Sequence, residues 1–89
     1  MANIDNIIKR EIEHKHNGGS VIKGKFVARF LNLPSNKVAD VNFNKNNEVT
    51  MILLYSNSYN PYVRDTKQID CNEETTDDEV YKTITEYLY

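Results

Sequence analysis

The sequence predicts an α+β domain: two N-terminal helices, a small antiparallel β-sheet of about three strands, and a closing C-terminal helix. Three observations predict it. Isoleucines recur at helical spacing near the start, the apolar period changes to two in the middle, and an acidic turn led by threonine opens a last helical stripe. At 89 residues there is room for one domain, 1–89, and no second. Its 23 Leu, Ile, Val and Phe lie above the level of disordered chains but make a thin core. A bulky internal cofactor would consume much of that core, so composition points to function at the surface and to no cofactor.

Asn3 caps the first helix, and Ile4, Ile7, Ile8 and Ile12 follow behind it as one apolar stripe. Gly18-Gly19 ends it, because glycine adopts the left-handed conformation a helix terminus needs. Ile22, Phe26 and Phe30 then lie four apart with Val27 and Leu31 beside them, which predicts a second helix over about 23–32. Read as a strand, the same segment would bury Phe26, Ala28 and Phe30 and turn Val27 and Leu31 the other way.

From 38 to 56 the period is two: Val41 and Phe43, a turn at Asn44–Asn47, then Val49, Met51, Leu53 and Tyr55. That is a β-hairpin whose second arm, apolar on both faces, is a central strand covered by helices on at least one side. A polar loop spans 56–61, and Tyr62–Asp70 forms a third strand through Val63 and Ile69. Thr76 and Glu79 fit a capping box for the last helix, which buries Val80, Ile84 and Leu88.

Charge divides the chain in two. Residues 1–45 carry eight Lys/Arg and four Asp/Glu, a balance of +4; residues 46–89 carry three and nine, a balance of −6. Asp65, Asp70, Glu73, Glu74, Asp77, Asp78 and Glu79 crowd into one stretch with Lys67 alone among them. Such a surface imitates nucleic acid or steers a basic partner by its field, and it forms charge-assisted contacts with the Arg and Lys that hold phosphates. Tyr59 and Tyr62, flanking Asn60-Pro61, supply flat anchors of the kind enriched at interfaces.

Chemistry is poorly represented. Cys71 is the only cysteine, which excludes an intramolecular disulfide and a Cys-rich zinc site. His14 and His16 at i, i+2 would point about 200° apart on a helix and share no metal while it persists. No glycine-rich phosphate loop and no nucleophile signature occurs, so no catalytic residue and no metal ligand is assigned and the protein reads as no enzyme. The start of the chain lacks signal-peptide regions, and Met51–Tyr55, the longest apolar run, is far too short to cross a bilayer. The expectation is a cytoplasmic protein of an infected or host bacterial cell, monomer or homodimer, with no membrane contact.

Two resemblances follow from particular residues. Residues 27–38, Val-Ala-Arg-Phe-Leu-Asn-Leu-Pro-Ser-Asn-Lys-Val, resemble a helix-turn-helix core, with Ala28 the small residue, Leu31 and Leu33 apolar, Asn32 at the turn and Val38 in the second helix. That likeness implies a small DNA-binding regulator whose Ser35, Asn36 and Lys37 face the major groove. Residues 35–42 read as helix or strand. The opening Asn3–Glu11, Val21-Ile22, Leu33-Pro34 and Met51–Leu54 resemble, in order, the uracil-DNA glycosylase inhibitors, and the general type resembles anti-CRISPR proteins. Both are small acidic phage-encoded inhibitors. The glycosylase inhibitors place their DNA-imitating acids directly after the Val-Ile pair, where this chain has Lys23 and Gly24, so none of their functional residues carries over.

The leading expectation is therefore a non-enzymatic phage or mobile-element inhibitor. It would bind a host defence or nucleic-acid-processing protein, a CRISPR effector among the candidates, and block its nucleic-acid channel with the acidic surface.

Overall fold

The computed structural model describes residues 1–56 and 66–89. The elements run α1 (Ile4–His14), β1 (Gly19–Lys23), β2 (Val27–Asn32), β3 (Lys37–Phe43), β4 (Val49–Ser56), β5 (Lys67–Asp70) and α2 (Asp77–Leu88). All five strands form one antiparallel meander in the order β1-β2-β3-β4-β5. The architecture is α+β, but the described residues hold five strands instead of about three and one N-terminal helix instead of two.

The missing helix is the segment 23–32. It turns between β1 and β2 and then runs as β2, paired from Val27↔Asn42 to Asn32↔Lys37 along β3. The four-residue spacing of Ile22, Phe26 and Phe30 imitated a helical stripe, yet Ile22 and Phe26 are exposed and only Phe30 is buried. Strand alternation does better locally: Ala28 and Phe30 face the core, while Arg29 on the other side meets Asp40 across the ladder. Cross-strand pairing of this kind overrides local propensity.

The same correction removes the helix-turn-helix. Residues 27–43 are a β-hairpin whose turn holds Leu33–Asn36, closed by Asn36 N–H donating to Leu33 O at 3.3 Å, with Asn36 at φ 59°. Ser35 and Asn36 sit in that turn and Lys37 opens β3, so no recognition helix carries them.

The second hairpin lies where the alternation places it. In its turn Asn44 Oδ1 accepts from Asn46 N–H at 2.9 Å and Glu48 N–H at 3.0 Å, and Asn47 takes φ 64°. The N-terminal segment clips onto this turn: Val49 N–H donates to Ala2 O and Ile4 N–H to Asn47 O, each at 2.9 Å. The predicted third strand is β5, Lys67–Asp70; Tyr62–Asp65 of that expectation lie outside the described residues.

Both helices lie on one face of the sheet. Cross-sheet rows Val21–Phe30–Ala39–Leu54 and Ala28–Val41–Ile52–Ile69 face Ile4 and Ile7 of α1 and Val80, Ile84 and Leu88 of α2. The opposite face carries Ile22, Arg29, Asp40, Leu53 and Gln68 in one row. Asn32 ties the C-terminus of α2 to the sheet by donating from Nδ2 to Leu88 O. No helix among the described residues is long and apolar enough to cross a membrane.

Candidate functional site

The meander turns a charge asymmetry along the sequence into one across the molecule. β1 and β5 are the two sheet edges. Lys15, Lys23 and Lys25 border β1, whereas Asp70, Glu73 and Glu74 end or follow β5. Neighbouring strands lie about 4.8 Å apart, so the edges stand on the order of 20 Å from each other.

The acidic stretch divides by role. Asp77 accepts from Asn3 N–H at 2.7 Å and from Asn6 Nδ2 at 3.0 Å, and Asp78 pairs with Arg10 of α1. Asp77 joins the two helix N-termini, and Asp78 reaches further along α1. Glu79 belongs to the cap: its N–H donates to Thr76 Oγ1 at 3.1 Å, and that hydroxyl lies 3.3 Å from Glu79 Oε1. Glu73 and Glu74 project from a tight turn in which Asn72 Oδ1 accepts Glu74 N–H at 2.8 Å and Thr75 N–H at 3.2 Å. Asp70 accepts from Gln68 Nε2 at 3.0 Å. Asp70, Glu73, Glu74 and Glu79 are all exposed, and none forms an ion pair among the described residues. Tyr59, Tyr62 and Asp65 lie outside the described residues.

Cys71 follows β5 half-buried; burial pushes its thiol pKa up, with Asp70 and Glu79 adding to the shift. That is the opposite of the lowered pKa an activated nucleophile needs. The helix ends at His14, and Lys15 at φ 57° swings the chain so that His14 and His16 stack at 4.0 Å and 28°. The chain thus leaves the helix before Gly18-Gly19. No group of three His, Cys, Asp or Glu able to hold a metal occurs among the described residues.

Two buried carboxylates went unread in the sequence. Glu11, 6 % exposed, takes the place in the helix stripe expected for Ile12, which is 58 % exposed. His16 Nδ1 lies 2.9 Å from Glu11 Oε1. Tyr81 OH donates to Oε2 at 3.3 Å and Tyr89 OH to Oε1 at 3.4 Å. The ring of donors compensates the burial of the carboxylate. Tyr89 is held neutral, its pKa pushed up to about 12 by burial first and by the charge of Glu11 second. Asp40, buried on the sheet face opposite the helices, accepts from Arg29 Nε at 2.9 Å and from Tyr55 OH at 2.7 Å. The hydrogen bond to Asp40 and then its charge raise the Arg29 pKa. Local spacing does not assemble either cluster: beyond His16, five positions on, Glu11 draws Tyr81 and Tyr89 from 70 and 78 positions away, and Asp40 draws Arg29 and Tyr55 from 11 and 15 away.

No protein-family model, no curated protein and no solved structure matches the chain.

Proposed function

We propose that this protein is a non-enzymatic inhibitor, encoded by a phage or mobile element. It binds a host defence or nucleic-acid-processing protein, with CRISPR effectors in that class. The contact is made by Asp70, Glu73, Glu74 and Glu79, which occupy the groove where the partner's Arg and Lys would hold phosphates. The supporting observation is that these four carboxylates are exposed and not ion-paired among the described residues, on the sheet side away from the basic β1 edge. Asp77, half-buried, and Asp78, exposed but paired with Arg10, are engaged with α1. The blockade is steric and electrostatic.

The test is displacement of fluorescent duplex DNA from purified nucleic-acid-binding host proteins. Wild-type protein should compete with the DNA, and the combined D70K/E73K/E74K/E79K variant should not. Equal competition by both proteins rejects the acidic surface.

A further inference from the structure

At the opposite edge of the sheet, four observations meet around β1. The first is its backbone. Leu33 N–H donates to Gly18 O at 3.0 Å and Gly24 N–H to Val27 O at 2.8 Å, and both pairs continue the register of β1 on β2. Alternation of an antiparallel ladder then turns the backbone groups of Ser20 and Ile22 towards β2, and those of Val21 and Lys23 outwards. Gly19 N–H is taken by His16 O at 3.0 Å; Val21 and Lys23 gain no such bond among the described residues. The edge offers two donors and two acceptors in strand geometry.

The second is a cleft of about 310 Å³ against this edge, lined by Glu11, Ile12, Lys15, His16, Gly19, Ser20 and Val21. Ile12 and Val21 make its apolar walls. Glu11 faces it already engaged by His16, Tyr81 and Tyr89.

The third is where apolar surface is exposed. Of the six exposed large hydrophobics among the described residues, Ile22 lies on β1, Ile12 on the facing helix, Phe26 in the turn after it, and Leu33 and Tyr89 beside Gly18 and Gly19. Met1 alone lies elsewhere. The other five stand on both faces and at both ends of β1, so a strand added at this edge would cover apolar side chains along its length.

The fourth is charge. Lys15 stands at one end of β1 and Lys25 at the other, neither ion-paired among the described residues. Lys23 is balanced by Asp5 at 2.8 Å.

We propose that β1 takes up an extended acidic segment of a partner protein as a sixth strand. One large apolar side chain of that segment enters the cleft, and its flanking carboxylates meet Lys15 and Lys25. Main-chain bonds to Val21 and Lys23 supply affinity, and cleft and lysines supply selectivity. A second copy of this chain would bring like charges together along the edge, which disfavours self-pairing. The site is independent of the carboxylates at the other edge, so it survives or fails separately from the inhibitor reading.

The experiment is an amide NMR titration of the full chain with the peptide Glu-Asp-Val-Leu-Val-Asp-Glu, capped at both ends. Three controls accompany it: the same peptide with lysines for its acids, one N-methylated at alternate amides, and duplex DNA. Expected is saturable binding with Kd below about 1 mM, shifting the amides of Val21 and Lys23. Charge reversal or N-methylation of the peptide, Lys15→Glu, and Val21→Pro should each weaken it at least about tenfold. Proline at 21 removes an outward N–H and no bond to β2, and the N-methyl peptide makes the same test without touching the protein. No saturation by 1 mM peptide, equal affinity for the reversed peptide, DNA shifting these amides in place of peptide, or a dimer with Val21 N–H protected in the free protein would each overturn the proposal.

Discussion

Asp77 at the start of α2 accepts the backbone N–H of Asn3 at 2.7 Å, across 74 positions of chain. Asn3 itself caps α1, its Oδ1 accepting from Asp5 N–H at 2.9 Å. The two helix N-termini are therefore fastened through one carboxylate, and the acidic stretch is part framework and part surface.

That division is measurable. Asp77→Ala should cost about 1–3 kcal/mol, because it leaves the half-buried N–H of Asn3 without its acceptor. The pair Glu73→Lys and Glu74→Lys, both in an exposed turn, should change stability by about 0.5 kcal/mol or less. Urea denaturation of the three proteins checks this; equal destabilisation contradicts it.

Gly19 makes room for Tyr89. A Cβ on Gly19 would lie 2.3 Å from Tyr89 OH and 3.2 Å from Glu11 Oε1. The tyrosine tip is the end of a movable side chain, so Gly19→Ala should displace it instead of unfolding the sheet. The expected loss is about 1 kcal/mol, the hydrogen bond to Glu11. Tyr89→Phe should lose a similar amount, and the double variant should fall short of the sum by about 0.5 kcal/mol or more in a denaturation cycle.

Tyr89 also governs behaviour in alkali. Its folded pKa of about 12 lies above the ordinary value of 10, so the folded state binds more protons between those pH values. Its contribution to stability is complete below about pH 10 and is lost as pH rises through 12. In a tyrosinate absorbance titration, Tyr89→Phe should remove a step near pH 12, and Glu11→Gln should move that step to lower pH.

On the sheet face opposite the helices, Arg29→Ala should cost about 1–3 kcal/mol by leaving the buried carboxylate of Asp40 without its cation, while Tyr55→Phe should cost about 1 kcal/mol. Replacing Arg29 and Asp40 together should cost less than the two single changes summed, which a double-mutant cycle on thermal unfolding measures.

α1, the hairpin of β3 and β4, and α2 each carry their signal within a dozen residues: a capping Asn3, an Asn-rich turn, a Thr76–Glu79 cap. β1 and β2 do not. Ile22, Phe26 and Phe30 satisfy a helical spacing, and the choice of strand depends on Arg29 finding Asp40 and Phe30 finding Ala39 across the ladder. Glu11 replaces Ile12 in the core for the same kind of reason, since only the returning α2 brings Tyr81 and Tyr89 to its carboxylate. The acidic residues were legible as a cluster. Their separation into Asp77 and Asp78, which bond to α1, and Asp70, Glu73, Glu74 and Glu79, which carry no ion pair among the described residues, is a property of helix packing.

The most direct test of the inhibitor account is fluorescence anisotropy of labelled duplex DNA bound to a panel of host nucleic-acid-binding proteins, RNA-guided nucleases included. The account predicts that wild-type protein releases the DNA from at least one of them and that the D70K/E73K/E74K/E79K variant, folded by circular dichroism, does not. Release by both proteins alike, or no release from any member of the panel, would contradict it.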